Sequence, residues 1–349
     1  MNIKSITLKN FRNHNYLSFS FQKGINVISG PNGIGKTNIV EAIYYLSLAR
    51  SFRTNDTYNL IQKGKDDAEI SSTISEGELV RKIRINISKE GKKILLNNKP
   101  VSKLSELVKC VNVVLFEPKD VLLFRGSPKE RRNFLDINIS KKSAIYLDHI
   151  SRYDKILKQR NDLLKQENVD EVLLDTTTEM LVKLAEPIVS YRQLYVKDIN
   201  DILNKIARAL TGVNSEIEIK YTPFVPFDSE FKESAKKAFK GALEGDLKRK
   251  ATSIGIHRED FSVSLNGRDI AMFGSQGENR LVALALKLSP YFLIEDKEKR
   301  PVVVLDDVMS ELDKTHKERL IKFLQKFEQV FITSTNQVVK DAAHYELKK

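Results

Sequence analysis

Apolar and polar positions alternate with period two over the first third of the chain. Leu17, Phe19 and Phe21 interleave with Ser18 and Ser20, and residues 69–87 alternate again with a break at Glu76-Gly77. Such alternation places one side of an extended strand against a core and the other in water. Glu76-Gly77, Glu90-Gly91 and Asn97-Asn98 supply turn chemistry between strands, so a strand-dominated segment with hairpins is predicted up to about Phe116. From about residue 128 to residue 212 the period lengthens. Leu157, Leu164 and the pair Ile145 and His149 recur at three-, four- and seven-residue spacings, with Lys and Arg on the other faces. This stretch has no glycine before Gly212 and one internal proline, Pro187. It predicts an antiparallel hairpin of long helices that breaks near residues 168–175. Strands return at Ile217, Ile219 and Tyr221. A basic helical stretch, a glycine-marked motif, an apolar strand at 302–305 and a closing helix-strand-helix follow.

A length of 349 residues suits two domains, or one large domain with an insertion. Apolar residues at 41% beside 30% charged residues describe a folded chain with a sizeable core. The best apolar runs, 111–116 and 301–305, fall short of the roughly 18 residues that a bilayer-crossing helix needs. No apolar run follows a basic start, so no secretory signal is read, no membrane role is expected and the expected location is the cytoplasm. A lone Cys110 excludes an internal disulfide or a cysteine zinc cluster, and the five histidines lack ligand-like spacing. Cys110 is expected to be a small buried hydrophobe. Lys and Arg number 58 against 46 Asp and Glu, a net charge of +12. That balance suits a polyanionic partner such as nucleic acid or an anionic membrane surface, and equally a lysine-rich solvated surface.

The string Gly30-Pro31-Asn32-Gly33-Ile34-Gly35-Lys36-Thr37, followed by Asn38, has the spacing of a phosphate-binding P-loop. An apolar strand at 25–28 precedes it and a helical segment at 38–48 follows, so backbone N–H groups and a helix N-terminus converge on phosphate. Lys36 is placed to reach the outer phosphates and Thr37 to ligate magnesium. The alternative is a glycine-rich turn that binds nothing. A magnesium-nucleotide site also needs a carboxylate after a buried strand, and Val302-Val303-Val304-Leu305-Asp306-Asp307 provides two. Asp306 is the expected magnesium ligand and Asp307 the expected catalytic residue, polarising the attacking water. The competing reading is a capping aspartate pair. ATP and Mg2+ are the cofactors these motifs call for.

Ser275-Gln276-Gly277-Glu278 opens an apolar helical run at 281–288. It resembles the signature motif of ABC-type ATPases, which grips the γ-phosphate bound to the opposite subunit. Ser275 with Glu278 three residues on also matches a helix capping box, and the two readings are compatible.

Taken together, the motifs resemble the RecF family of bacterial DNA-repair ATPases, related to SMC proteins, along the whole chain. The similarity is carried by Asn10-Phe11-Arg12-Asn13, the P-loop, Glu41-Ala42-Ile43 and Arg50-Ser51-Phe52-Arg53. It continues through Phe116, Pro118, Asp120, Gly126, Pro128, Arg131-Arg132 and Phe134-Leu135-Asp136 to Thr252, Gly255, His257-Arg258 and Ser310-Glu311-Leu312-Asp313. The resemblance implies an α/β fold: an ABC-type P-loop ATPase head, mixed sheet with antiparallel subdomain, carrying an inserted α-helical hairpin arm. Residues 1–125 and 213–349 would form the head and 126–212 the arm. It further implies ATP-dependent homodimerisation on DNA at single-stranded gaps or duplex junctions, in repair, replication and the SOS response, with RecR and RecO as partners. Ser310 and Asp313 would belong to a D-loop lining the partner's nucleotide. Glu117 stands where related ATPases keep a Q-loop glutamine, Thr333-Ser334-Thr335 where transporters place a switch histidine, and Ile256 where the family is expected to have proline. A transporter ATPase subunit and a nucleotide-independent structural DNA clamp are the competing functions; the missing histidine and the intact Lys36, Thr37, Asp306 and Asp307 count against them. Candidate DNA contacts are Lys141, Lys142 and Arg152 on the arm and Lys248, Arg249 and Lys250 ahead of the signature, each set against a solvated-surface reading. Arg12 and Arg53 are candidates for nucleotide phosphate or DNA, and His257 either contacts phosphate or caps a turn. His316 is expected on the surface.

Overall fold

A computed structural model describes residues 1–335 and 339–348, the side chains of Leu104, Ser105 and Lys109 excepted. In chain order the elements begin with β1 (Asn2–Phe11), β2 (His14–Ser20), β3 (Gly24–Ser29), α1 (Lys36–Leu48), β4 (Asp67–Glu76) and β5 (Leu79–Ser88). Next come β6 (Gly91–Leu96), β7 (Lys99–Pro100), α2 (Leu104–Cys110), β8 (Val113–Phe116), α3 (Pro128–Lys142), α4 (Ala144–Leu163) and α5 (Glu171–Thr211). They are followed by β9 (Ile217–Thr222), α6 (Phe231–Arg249), β10 (Asp260–Leu265), β11 (Arg268–Asp269), α7 (Ile270–Phe273) and α8 (Gln276–Phe292). The last are β12 (Val302–Leu305), α9 (Lys314–Leu324), β13 (Gln329–Ser334) and β14 (Ala343–Glu346). They gather into two compact units, one of residues 1–120, 205–214 and 281–349, the other of residues 121–204 and 215–280. The second unit thus reaches beyond the 126–212 interval. Among the described residues no helix is long and apolar enough to cross a membrane.

The first unit holds two sheets. One is parallel, in the order β14-β3-β13-β12-β8. Its central strands β12 and β13 are buried along their whole length, as continuous apolar runs in parallel sheets usually are. The other is antiparallel, in the order β2-β1-β4-β5-β6-β7, and here period-two alternation does its expected work. Ile6, Leu8, Ile70 and Ile85 are fully buried, together with Ile39, Ile43 and Leu46 of α1. Buried Gln329 on β13 ties the two sheets together, accepting from Ile3 N–H at 2.7 Å and donating to Ile3 O and Gln22 O at 2.9 Å. Cys110 is buried as expected.

The second unit contains α3, α4, α5 as far as Asn204, α6, α7, the start of α8 and the antiparallel sheet β11-β10-β9. The helical segment breaks at 164–170, overlapping only the start of the expected 168–175 interval, and contains three helices because Ser143 ends α3 and caps α4 with its side chain. Helices α4 and α5 form the antiparallel hairpin: Tyr146 packs on Tyr191 and bonds Arg192, while Arg160, further along α4, meets Thr178, further back on α5. The face of α4 that packs inward is one residue off the expectation. Ile145 is exposed, whereas Tyr146, Tyr153, Arg160 and Leu163 are buried. That face is polar because it carries charge networks: Arg160 bonds Asp246 at 2.8 Å and Thr252 at 2.7 Å. Arg192 on α5, also buried, bonds Glu259 at 2.7 Å and Asp136 at 2.9 Å and 3.0 Å. Asn200 and Asn204 of α5 bond the backbone of β9, covering a sheet edge that would otherwise be open to another strand. The chain does not close on a helix: residues 343–346 add β14 beside β3, and residues 336–338 lie outside those described.

Arg192→Met is expected to destabilise the fold by about 3–5 kcal/mol, because it strands Glu259 in the interior without its cation. Adding Glu259→Gln should return part of that loss, read as a recovery of the urea midpoint.

Candidate nucleotide site

β3 leads into the glycine-rich turn, and α1 starts at Lys36. Gly35 has φ 109°, and a Cβ there would stand 2.6 Å from Asn13 Oδ1 and from His14 Nε2, so only glycine fits. Asn38 N–H donates to Gly35 O at 3.0 Å, drawing the turn onto the start of the helix. The Lys36 ammonium reaches back to the carbonyls of Gly30 at 2.7 Å and Pro31 at 3.0 Å. Positive charge, a helix N-terminus and a wound backbone therefore meet at one point, an arrangement suited to phosphate.

Asp306 follows β12 and is fixed by its backbone, N–H to Phe116 O at 2.9 Å. Its Oδ1 accepts two hydroxyls, Thr37 Oγ1 at 3.2 Å and Thr333 Oγ1 at 2.7 Å. Thr333 comes from β13, which runs between β3 and β12, and it also accepts the Asp307 N–H at 2.8 Å. Burial pushes the Asp306 carboxyl above its ordinary range, while the two hydroxyl bonds pull it down. Asp307 takes φ 50°, a left-handed conformation that aspartate tolerates better than most residues, and its side chain is exposed. Ser310 Oγ donates to Asp307 O at 2.9 Å. Asp313 caps α9 by accepting His316 N–H at 2.9 Å, with His316 Nδ1 at 2.5 Å; His316 is thus half-buried and engaged.

Behind the turn lies a brace that sequence reasoning missed. Glu41 of α1 is fully buried and takes Arg12 Nε at 2.9 Å, Arg12 Nη2 at 2.6 Å, Ser51 Oγ at 2.5 Å and Arg53 Nη1 at 3.3 Å. The same Arg53 nitrogen bonds Asn38 Oδ1 at 2.7 Å, Asn38 bonds Asn13 at 2.7 Å, and Asn13 bonds Ile34 O at 3.0 Å. Arg12 and Arg53, candidates for phosphate or DNA, are therefore committed to Glu41. The overlooked signal was a carboxylate among Ile39, Val40, Ala42 and Ile43, a position that demands a cation. Thr333 carried a weaker one, a hydroxyl at the end of an apolar strand.

Glu117 follows β8, with Lys119 Nζ 2.9 Å from its carboxylate and its N–H on Asp120 Oδ2 at 2.9 Å. Asp120 in turn pairs with Lys287 at 2.7 Å. Burial raises the Glu117 carboxyl to about 7, with Lys119 only partly opposing it.

In the second unit, Ser275 N–H donates to Glu278 Oε2 at 2.8 Å and Glu278 N–H to Ser275 Oγ at 3.2 Å, a closed capping box. Residues Ser275, Gln276, Gly277 and Glu278 are all exposed. Lys142 pairs with Asp198 at 3.1 Å, Arg152 with Asp148 at 3.7 Å, and Lys248 with Glu244. Lys141 is half-buried, and Arg249 and Lys250 are exposed. His257 is engaged on both nitrogens, by the Tyr153 hydroxyl at 3.3 Å and Thr252 O at 3.1 Å, and burial lowers it to about 4, so at neutral pH it offers no charge to a phosphate.

Glu117 generates a pH test. Between its ordinary 4.5 and about 7, the folded chain keeps a proton that the unfolded chain has released, so stability falls as pH rises through that window. Glu117→Gln should leave the urea midpoint alike at pH 4.5 and raise it at pH 8, by up to about 3 kcal/mol in unfolding free energy.

Comparison with known proteins agrees with this geometry. The family model described as "RecF/RecN/SMC N terminal domain" matches residues 2–348. A protein of Clostridium perfringens strain 13 named DNA replication and repair protein RecF is 37% identical over 347 residues, covering 99% of this chain and 95% of the relative. A Bacillus cytotoxicus protein of the same name is 38% identical over 357 residues, covering 100% of this chain and 95% of the relative. A solved structure of the recombination mediator protein RecF with ATP, in the RecFOR pathway, superposes with a TM-score of 0.88 at 32% identity, covering 97% of this chain and 95% of that one. An Smc head domain from Pyrococcus furiosus shares the fold at a TM-score of 0.56 and 18% identity, over 96% of this chain and 89% of that one. With its P-loop strand, its paired carboxylates and full-length identity all pointing one way, the chain belongs to the bacterial RecF family of the SMC and ABC-type ATPase superfamily.

Proposed function

We propose that this chain is an ATP-dependent DNA-binding protein of recombinational repair and replication-fork maintenance. ATP binding drives homodimerisation on DNA at single-stranded gaps or junctions, and slow hydrolysis, stimulated by DNA, releases it. The observation that carries the reading is the bond from Thr37 to Asp306, which joins the P-loop helix to the end of β12 across 269 residues. It brings the hydroxyl and the carboxylate of a magnesium-nucleotide site together at one end of the parallel sheet. RecR and RecO, components of the RecFOR pathway named for the solved relative, are the partners this reading brings.

Thr37 and Asp306 supply one hydroxyl and one carboxylate at a common point. That donor set suits Mg2+, which usually takes one or two protein oxygens and completes its shell from phosphate and water; when bound, the ion would screen charge on the phosphates. Lys36 would turn from the Gly30 and Pro31 carbonyls to the outer phosphates, and the N–H groups of Gly33, Gly35, Lys36 and Thr37 would hold the inner ones. Asp307, exposed and oriented by Thr333 and Ser310, accepts a proton from the attacking water. Gly277 supports the signature role of Ser275. It is exposed in the first turn of α8 with nothing within 4 Å of where its Cβ would be, so glycine there relieves no crowding in this chain. Close approach of an outside group, the nucleotide of a second subunit, accounts for it.

Asp307→Asn should bind ATP normally, hydrolyse it at least a hundredfold more slowly and accumulate as an ATP-bound dimer on duplex DNA. Turnover at the parental rate would remove Asp307 from the chemistry. Ser275→Arg should bind ATP as a monomer with unchanged affinity and fail to dimerise in sedimentation runs; loss of monomer binding would instead place Ser275 in its own subunit's site.

A further inference from the structure

The antiparallel sheet of the first unit has an outer face unlike an ordinary solvated one. The strand registers align its outward residues in three rows across β2, β1, β4 and β5, two of which reach β6. One row is Ser20, Ser5, Thr73 and Lys82; the next is Ser18, Thr7, Ser71, Arg84 and Leu95; the third is Tyr16, Lys9, Glu69, Asn86 and Lys93. The residues between them, Ile6, Leu8, Ile70 and Ile85, are fully buried, so the rows share the solvent side. Six hydroxyls thus lie side by side on three adjacent strands. They border a shallow hollow of about 140 Å³ lined by Ser5, Thr7, Ser71, Thr73, Lys82 and Arg84.

Strand propensity does not explain this pattern. Four of the six are serine, which lacks the branched or aromatic side chain that strands favour. Only half of the six hydroxyls are used internally. Thr7 and Ser18 share a bond of 3.0 Å and Ser71 donates to Glu69 at 2.8 Å, while those of Ser5, Ser20 and Thr73 have no side-chain partner among the described residues. The charge is one-sided. Four cations, Lys9, Lys82, Arg84 and Lys93, accompany one carboxylate, Glu69, which already faces Lys9 at 4.0 Å and Arg84 at 3.7 Å. Lys82 and Lys93 have no acidic partner among the described residues. The face lacks the apolar centre of a protein interface. Hydroxyls and unpaired lysines on a firm backbone are what hold nucleic-acid phosphates without reading bases.

We infer that this hydroxyl-lined face of β2, β1, β4, β5 and β6 is a docking surface for the sugar-phosphate backbone of duplex DNA. The inference rests on the DNA-binding reading above and assigns it a place that none of the candidate lysines and arginines at 141, 142, 152 and 248–250 occupies. Hydroxyls donate to phosphate oxygens, and Lys82 and Lys93 displace condensed counterions.

The test is a salt series of titrations with a fluorescent 30-base-pair duplex, in ATP and magnesium, on the full chain. Thr7→Val with Thr73→Val keeps shape, branching and charge, and should weaken binding roughly tenfold at fixed salt without changing the salt slope. Lys82→Ala with Lys93→Ala should lower the logarithmic salt slope by about 1.8, at roughly 0.9 per phosphate contact. Lys248→Ala with Arg249→Ala removes equal charge from α6 and should lower it less. ATP affinity, unchanged in every variant, shows that each is folded. If the parent chain binds duplex and the sheet variants match it, or both charge pairs lower the slope equally, the docking surface is refuted while DNA binding stands. If the parent does not bind duplex at all, the DNA-binding reading falls first and this surface with it.

Discussion

One carboxylate oxygen organises the first unit. Asp306 Oδ1 receives hydroxyls from Thr37 and Thr333, and through them three segments of the chain come into register: the helix after the glycine-rich turn, the strand that separates it from β12, and β12 itself. A buried carboxylate without partners would take up a proton or push the strand ends apart. With two donors it becomes a fixed point, and Thr333 extends that point to Asp307 by accepting its N–H. The left-handed turn at Asp307 is held by the same residue that anchors its neighbour, so the position of the exposed carboxylate follows from buried geometry.

The second unit uses charge differently. Arg160 and Arg192 are almost wholly buried, each enclosed by carboxylates and hydroxyls drawn from distant parts of the chain. Such pairs add little net stability compared with apolar packing, yet losing one member is costly. They act as selection devices: a misplaced α4 or α5 would leave a guanidinium in the interior with nothing to bond. The Glu41 brace applies the same logic beneath the glycine-rich turn, where Arg12 and Arg53 neutralise one carboxylate from two sides.

What could be read from sequence was what depends on neighbours along the chain. Gly35, the turn residues at 76–77 and 97–98, and the apolar run at 302–305 announce their conformations locally, because backbone dihedrals and period-two burial are short-range properties. The site motifs were legible for the same reason. The buried side of α4 was not, since Tyr146, Tyr153 and Arg160 carry polar ends that become interior only when Asp136, His257 and Asp246 arrive. Thr333 and Glu41 were hidden likewise, their meaning resting on partners tens to hundreds of residues away. β14 escaped notice because a short half-buried strand at a sheet edge carries little periodic signal.

The order β14-β3-β13 has a consequence for synthesis on the ribosome. β3 is made near the start, yet both strands that flank it come from residues 329–346. At roughly 5–20 residues per second, about 15–60 s pass between its emergence and theirs. Throughout that interval the strand that will carry the glycine-rich turn has both edges unpaired while the antiparallel sheet beside it can already close. Nascent chains of this protein therefore hold β3 without either of its neighbours for most of the interval that separates it from β13.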